Sequence, residues 1–268
     1  SGTGTLTQAG TGTTILTGAN TYTGATVITA GVLHIGKGGT TGSLGTNTVN
    51  DSGTLSFNRS DSITVSNSIN GSGGVLQMGT GTTTLSTVNN YLGVTTVTGG
   101  TLSISVFNSG GTSSNIGAAS NAATNIVLNG GTLQYKGGSI STDRLVSVGT
   151  SGGAVDASGS GVLTLSNTGS MGFNSQSGAR TLTLTGTKTG SNTLAAVVGD
   201  SGGATGLSAR GASPAATGEQ MTETAAAARS GARQRRHAGG SRYGDHDHGH
   251  EQAEEQVPAP GHDHGART

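Results

Sequence analysis

The 268 residues include 51 glycines, three phenylalanines, no tryptophan and no cysteine, and 13 basic residues balance 13 acidic ones. Leu, Ile, Val and Phe together make 47 residues, under a fifth of the chain, which is thin for a compact globular core. Disulfides and thiolate metal sites are excluded, no 18-residue apolar run marks a membrane helix, and the balanced charge argues against disorder as the source of the low hydrophobicity.

The chain opens Ser1-Gly2-Thr3, with no Met and no signal peptide, and so reads as a fragment or a processed piece. From there a triplet of Gly, Thr or Val, and Leu recurs. The copies begin at Gly4, Gly31, Gly53, Gly74, Gly100, Gly131 and Gly161, at intervals of 27, 22, 21, 26, 31 and 30 residues. A period of that size marks a solenoid, in which each repeat stacks on its neighbours. Glycine supplies a turn, a β-former enters the strand, and the leucine points inward. The runs Thr13-Thr14-Ile15-Leu16, Thr26-Val27-Ile28-Thr29, Ser62-Ile63-Thr64-Val65, Thr124-Asn125-Ile126-Val127-Leu128 and Arg180-Thr181-Leu182-Thr183-Leu184 have strand length and β-rich composition. Several alternate apolar residues with Thr or Ser, the pattern of one buried and one wet face. No helical periodicity longer than a turn is visible.

The pattern stops near Leu207. Residues 1–207 hold 11 charges; residues 208–268 hold 15, with six of the seven histidines and all three prolines. This composition shift divides the chain into a repeat region, 1–207, and a charged, His-rich tail, 208–268, which reads as disordered.

Within the first region, residues 10–35 align with 79–104 at a constant offset of 69, with 14 of 26 positions identical and no gap. Read as whole turns, the offset is three coils of 23 residues. The gap-free match of the rarer Asn20/Asn89, Tyr22/Tyr91 and Leu16/Leu85 selects a β-helix over a sandwich or barrel. The stretch Gly10 to Ile35 resembles the passenger-associated transport repeat of bacterial autotransporters, with Gly18-Ala19-Asn20-Thr21-Tyr22-Thr23-Gly24 fitting that pattern closely. The second copy departs from that pattern, as Thr87-Val88-Asn89-Asn90-Tyr91-Leu92-Gly93. Gly190 to Asp200 is similar to a segment common in such passengers. The resemblance covers roughly residues 1–207. It implies an all-β, right-handed parallel β-helix, exported across the outer membrane of a Gram-negative bacterium to the cell surface, and an outer-membrane β-barrel translocator in the full-length protein.

Several motifs suggest chemistry and each has a plainer reading. Gly199-Asp200-Ser201-Gly202-Gly203 copies a serine-protease nucleophile motif, but the one histidine of the repeats, His34, sits in a strand, so a Gly-rich turn is the reading. Gly31 to Gly38 has phosphate-loop spacing around Lys37, but Gly38 stands where Ser or Thr should hold magnesium, and no helix follows. A carbohydrate-active β-helix enzyme, a polysaccharide lyase or hydrolase, is the alternative function. It needs clustered carboxylates. Of the five repeat-region acids only Asp51 and Asp61 would lie on adjacent coils, with Arg59 near, so the alternative predicts that these three converge in a cleft.

In the tail, His246, His248, His250, His262 and His264 alternate with Asp and Gly, a spacing that suits weak zinc, nickel or copper binding on a mobile chain. The same stretch also fits a reading-frame shift downstream of Met221, which turns the His and Asp codons into threonine codons. The cluster Arg229, Arg233, Arg235 and Arg236 lacks interleaved aromatics and reads as a solvated face, not a nucleic-acid site. These readings assign no catalytic, cofactor or metal residue. They predict a structural and adhesive passenger fragment that is not an enzyme, with cell-surface glycans or matrix proteins as partners and self-association through exposed ladder edges. They predict eight or so coils, a rod about 40 Å long at ~4.8 Å per coil, with Leu33, Leu55, Leu76, Leu102, Leu133 and Leu163 inside.

Overall fold

The computed structural model describes residues 2–199 and the strand Thr205–Ala209. The expected tail from residue 210 on, with its histidines and arginines, lies outside these residues, as do Asp200 and Ser201. The strand Thr205–Ala209 carries the ladder across the position where the composition shifts.

Among the described residues every pairing between strands is parallel, with one isolated antiparallel bridge, Asn89 to Ser114, outside the strands. The strands stack as a β-solenoid with three faces. Face one runs from Thr13–Leu16 through Val32–Ile35, Thr54–Phe57, Gly74–Gln77, Thr95–Val97 and Ile126–Leu128 to Ser147–Val148. Face two runs from Ser62–Val65 through Thr82–Leu85, Thr101–Ile104, Thr132–Tyr135, Gly153–Ala157 and Arg180–Thr185 to Thr205–Ala209. Face three holds two shorter ladders, of four and three strands. A seven-strand ladder rises about 30 Å at ~4.8 Å per rung. The strands expected from sequence form, except that Thr124 and Asn125 lie in a 3-10 turn, Ala123–Asn125, ahead of Ile126–Leu128.

Stacking identical positions makes the core. On face one Leu33 lies over Leu55 and Leu55 over Val75; on face two Leu102 lies over Leu133 and Leu133 over Val155. All six are buried. Burying one such side chain is worth about 1.5–3 kcal/mol. Leu163 is also inside, on face three. Leu76 is the exception to the expected row. Its triplet has slipped by one residue, so Gly74 pairs with Thr54 and Val75 takes the inward place, leaving Leu76 half-buried on the outside. Side chains alternate along a strand, so a one-residue slip exchanges the faces.

The two long repeat copies are built alike. The Gln8 amide donates to Gly10 O at 2.8 Å and Gly12 O at 3.2 Å; Gln77 donates to Gly79 O at 2.8 Å and Gly81 O at 3.4 Å. Gly31 and Gly100, on the following rung, settle on those turns with φ of 67° and 52°. A Cβ at either would overlap the same carbonyl oxygens that the glutamine caps. Tyr22 and Tyr91 each share a 2.7 Å hydroxyl bond with the threonine that begins the next strand, Thr26 and Thr95. Asn20 Nδ2 donates to Ser43 O at 2.7 Å and Asn89 Nδ2 to Asn115 O at 2.6 Å, each bracketing the next rung.

The copies do not, however, lie above one another. Three rungs carry Thr13 through Val32 and Thr54 only to Gly74, on face one. Thr82, the counterpart of Thr13, is on face two. The offset of 69 is therefore three coils and one further face, not three coils of 23.

The slipped register sets a measurable contrast. Val75→Ala should cost about 2 kcal/mol of unfolding free energy and Leu76→Ala less than half of that, by urea titration. A larger cost for Leu76→Ala than for Val75→Ala would show that the triplet is in register after all. Gly100→Val, which meets both a positive φ and the Gly79 and Gly81 carbonyls, should cost more than either.

Candidate functional site

The outward residues of face two form two columns along the stack. One contains Ser62, Thr82, Thr101 and Thr132; the other contains Thr64, Thr84, Ser103, Gln134 and Asp156. They arise from the alternation of Thr and Ser with inward Ile63, Thr83, Leu102 and Leu133. Over these columns runs an open groove of about 320 Å³, lined by Ser62, Thr82, Thr84, Ser86, Ser103, Ile104, Ser105, Gln134 and Lys136. Gln134 is oriented by a 2.8 Å bond from its amide to Asp156, whose other oxygen accepts from Ser158. Side-chain hydroxyls recur on the rungs from Ser62–Val65 to Thr132–Tyr135, with one ammonium, Lys136, at one flank. Such a surface offers donors and acceptors at ~4.8 Å intervals and no reactive constellation.

Asp51, Arg59 and Asp61 do not meet in a cleft. Asp51 points into the coil beside Ile28 and is fully buried. One oxygen accepts from Gly53 N–H at 2.9 Å; the other has no partner among the described residues. Burial pushes its carboxyl up to about 6 against the smaller pull of the Gly53 and Leu55 N–H groups. Arg59 and Asp61 form a two-point ion pair, Nε to Oδ1 at 2.8 Å and Nη2 to Oδ2 at 2.6 Å. The bonds from Arg59 hold Asp61 below the usual carboxylate range. Arg59 also donates to the carbonyls of Gly42 and Thr40. Its work is to pin a loop.

The other two arginines of residues 2–199 do the same. Arg144 is buried and donates from Nε to Asn108 O at 2.8 Å and from Nη2 to Thr112 O and Gly117 O, both at 3.0 Å. Arg180 caps Val148 O and Phe173 O at 2.9 and 3.0 Å, with its guanidinium 4.7 Å from the Phe173 ring centre. Beside Arg144, partial desolvation pushes Asp143 up, but bonds from Gly110 N–H and the Asn121 amide outweigh it and hold the carboxyl low.

The phosphate-loop spacing also resolves structurally. Gly36 N–H donates to Leu16 O at 2.9 Å and Gly38 N–H to Asn58 O at 2.7 Å, so these two donors are spent on neighbouring rungs. His34 lies on the outer side of face one, opposite Ser56, and burial lowers its pKa. Sequence reasoning missed the Gln8/Gln77 caps and the buried Asp51. Both were visible in principle. The glutamines share the offset of 69, and Val49-Asn50-Asp51 alternates so that Asp51 faces the same way as Val49.

The Asp51 environment has a pH signature. Its folded pKa is above the unfolded value, so the folded state binds the extra proton between about 4 and 6, and stability falls as pH rises through that window. Asp61 and Asp143, with lowered folded pKa values, act oppositely, and their contribution is lost as pH falls below about 4. Asp51→Asn should remove the decline between pH 4 and 6 and raise stability at pH 7 by ~2 kcal/mol, measured by denaturation at several pH values. An unchanged slope would place the titrating group elsewhere. Separately, Arg144→Met should leave the 105–122 loop open to limited proteolysis while the rungs on either side stay protected.

The chain matches the passenger-associated-transport-repeat family at residues 6–35 and 75–104. These are the two segments that share the glutamine caps, tyrosine bonds and closing glycines. It is also 33% identical, over 75% of its length, to an adhesin, the BmaC autotransporter of Brucella suis biovar 1 (strain 1330). The chain spans 7% of the length of that relative. No solved structure matches.

Proposed function

We propose that this chain, a stretch of repeat-bearing autotransporter passenger, is a surface-displayed scaffold with an adhesive face. Its place in a full-length protein would be outside the cell, after export across the Gram-negative outer membrane through a β-barrel translocator. The adhesive reading rests on one observation above the rest, the hydroxyl-lined groove along face two. Thr82, Thr84, Ser86 and Ser105 present short, rotationally limited hydroxyls on a rigid ladder, beside a Gln134 held in place by Asp156. Ordering such groups costs little entropy compared with long charged side chains. Each contact to a sugar hydroxyl is weak, and the repeat along the ladder supplies the avidity. The relative's description as an adhesin agrees with this use. Cell-surface glycans are the partner class the groove suits best, with matrix proteins carrying such glycans as the larger target.

The enzyme alternative loses its constellation, because Asp51 is inside the coil and Asp61 is bound by Arg59. The test is adhesion of bead-coupled protein to cells and to immobilised neutral glycans. Replacing Thr82, Thr84 and Gln134 together by Ala should cut retention several-fold while the far-ultraviolet spectrum is unchanged. Undiminished adhesion would move the contact surface off face two. Reproducible release of sugar fragments, abolished by Asp61→Asn, would favour the enzyme.

A further inference from the structure

Ten charged side chains lie among residues 2–199: three arginines, four aspartates and three lysines. Most are spent inside the chain. Arg59, Arg144 and Arg180 hold loop carbonyls. Asp51 is buried, Asp61 is paired with Arg59, and Asp143 accepts from Gly110 N–H and the Asn121 amide. Asp156 has both oxygens engaged, by Gln134 and Ser158. The lysines differ. Arg59–Asp61 is the one ion pair among the described residues, so the ammonium groups of Lys37, Lys136 and Lys188 have no carboxylate partner there.

Two of the three share a corner of face two. Lys136 directly follows the strand Thr132–Tyr135 and lines the groove, where no carboxylate stands. Its N–H donates to Ile104 O at 2.7 Å, on the rung before. The Tyr135 hydroxyl closes the turn by donating to Gly138 O at 2.6 Å, and a Cβ at Gly137 would strike Ser105 O. The backbone under Lys136 is thus fixed, while its side chain is exposed. Lys188 comes shortly after the strand Arg180–Thr185, and its N–H donates to Ala157 O at 3.3 Å. Ala157 in turn pairs with Tyr135. Lys136 and Lys188 therefore leave the same corner two rungs apart, about 10 Å along the axis.

We propose that the groove takes an acidic glycan, whose carboxylate or sulfate groups meet Lys136 and Lys188 while its ring hydroxyls meet the threonine and serine columns. This rests on the glycan reading of the groove and adds the charge of the sugar to it. The two lysines lie close to one Debye length apart at physiological salt, so both act on one short stretch of polymer. Nucleic acid suits the face less well. Its outward columns hold no aromatic side chain for base stacking, and the arginine forks that grip phosphate are already used on carbonyls.

The test couples the whole chain to beads and uses two pairs of immobilised polymers: a linear polyuronate with its carboxyl-reduced form, and dextran sulfate with dextran. The acidic member of at least one pair should retain the protein about fivefold better at low salt, the effect of two exposed ion pairs. That advantage should fade as salt rises. Which pair responds tells carboxylate from sulfate. The arginines between residues 229 and 236 are present throughout, so the deciding comparison is between variants. Lys136→Gln with Lys188→Gln should remove most of the acid preference and leave retention on the neutral polymers unchanged. Lys37→Gln, which removes the lysine elsewhere, should change neither. Equal retention of acidic and neutral polymers, or an acid preference that survives the double substitution, would overturn this inference and leave the adhesive face standing. No retention on any of the four polymers would overturn both.

Discussion

Each rung is held by the backbone of the rung beneath it, and everything else in the molecule is arranged around keeping that ladder in register. A chain this poor in large apolar residues cannot stabilise a thick core. It needs a fold in which one inward side chain in two contacts its own kind above and below. Parallel pairing delivers this, because Leu33, Leu55 and Val75 are superposed by the same hydrogen bonds that join their strands. The cost falls on the turns, where backbone groups must be satisfied without a strand. Glutamine caps, asparagine brackets, tyrosine–threonine pairs and buried arginines all serve this one need.

That division of labour explains why residues that look chemical turn out to be structural. Arg59, Arg144 and Arg180 each gather carbonyls from a loop that replaces or lengthens a strand. Asp61 neutralises one of them. Asp51 sits in the core at the register position of Ile28 and receives a single strong bond, from Gly53. The three arginines serve irregular points, because irregular points are where the ladder leaves acceptors unmatched.

The fold class was legible in the primary structure because the inward residue recurs after a glycine turn, and only a stacked architecture gives that recurrence a use. The strand runs at Thr13, Ser62 and Arg180 could be read for the same reason. What could not be read was phase. Rung length varies from the 19 residues between Thr13 and Val32 to the 31 between Thr95 and Ile126. Loops absorb the difference, so the interval between copies does not reveal how many faces it spans. The slip at Gly74-Val75-Leu76 was hidden likewise, since Val and Leu are equally good inside and only pairing with Thr54 and Leu55 decides between them. The groove was foreseen only as outward threonines; that they align on face two depends on the same phase.

The rotation of one face between the two copies has a consequence for longer arrays. A repeat that advanced by whole coils would stack all its loops and grooves along one side of the rod. This one advances by three coils and a third. Successive copies at the same interval would point in three azimuthal directions, and the fourth would return to the first. A long passenger built this way would have no back: its loops would wind about the axis like a screw thread, presented to a surface whichever way the rod lay.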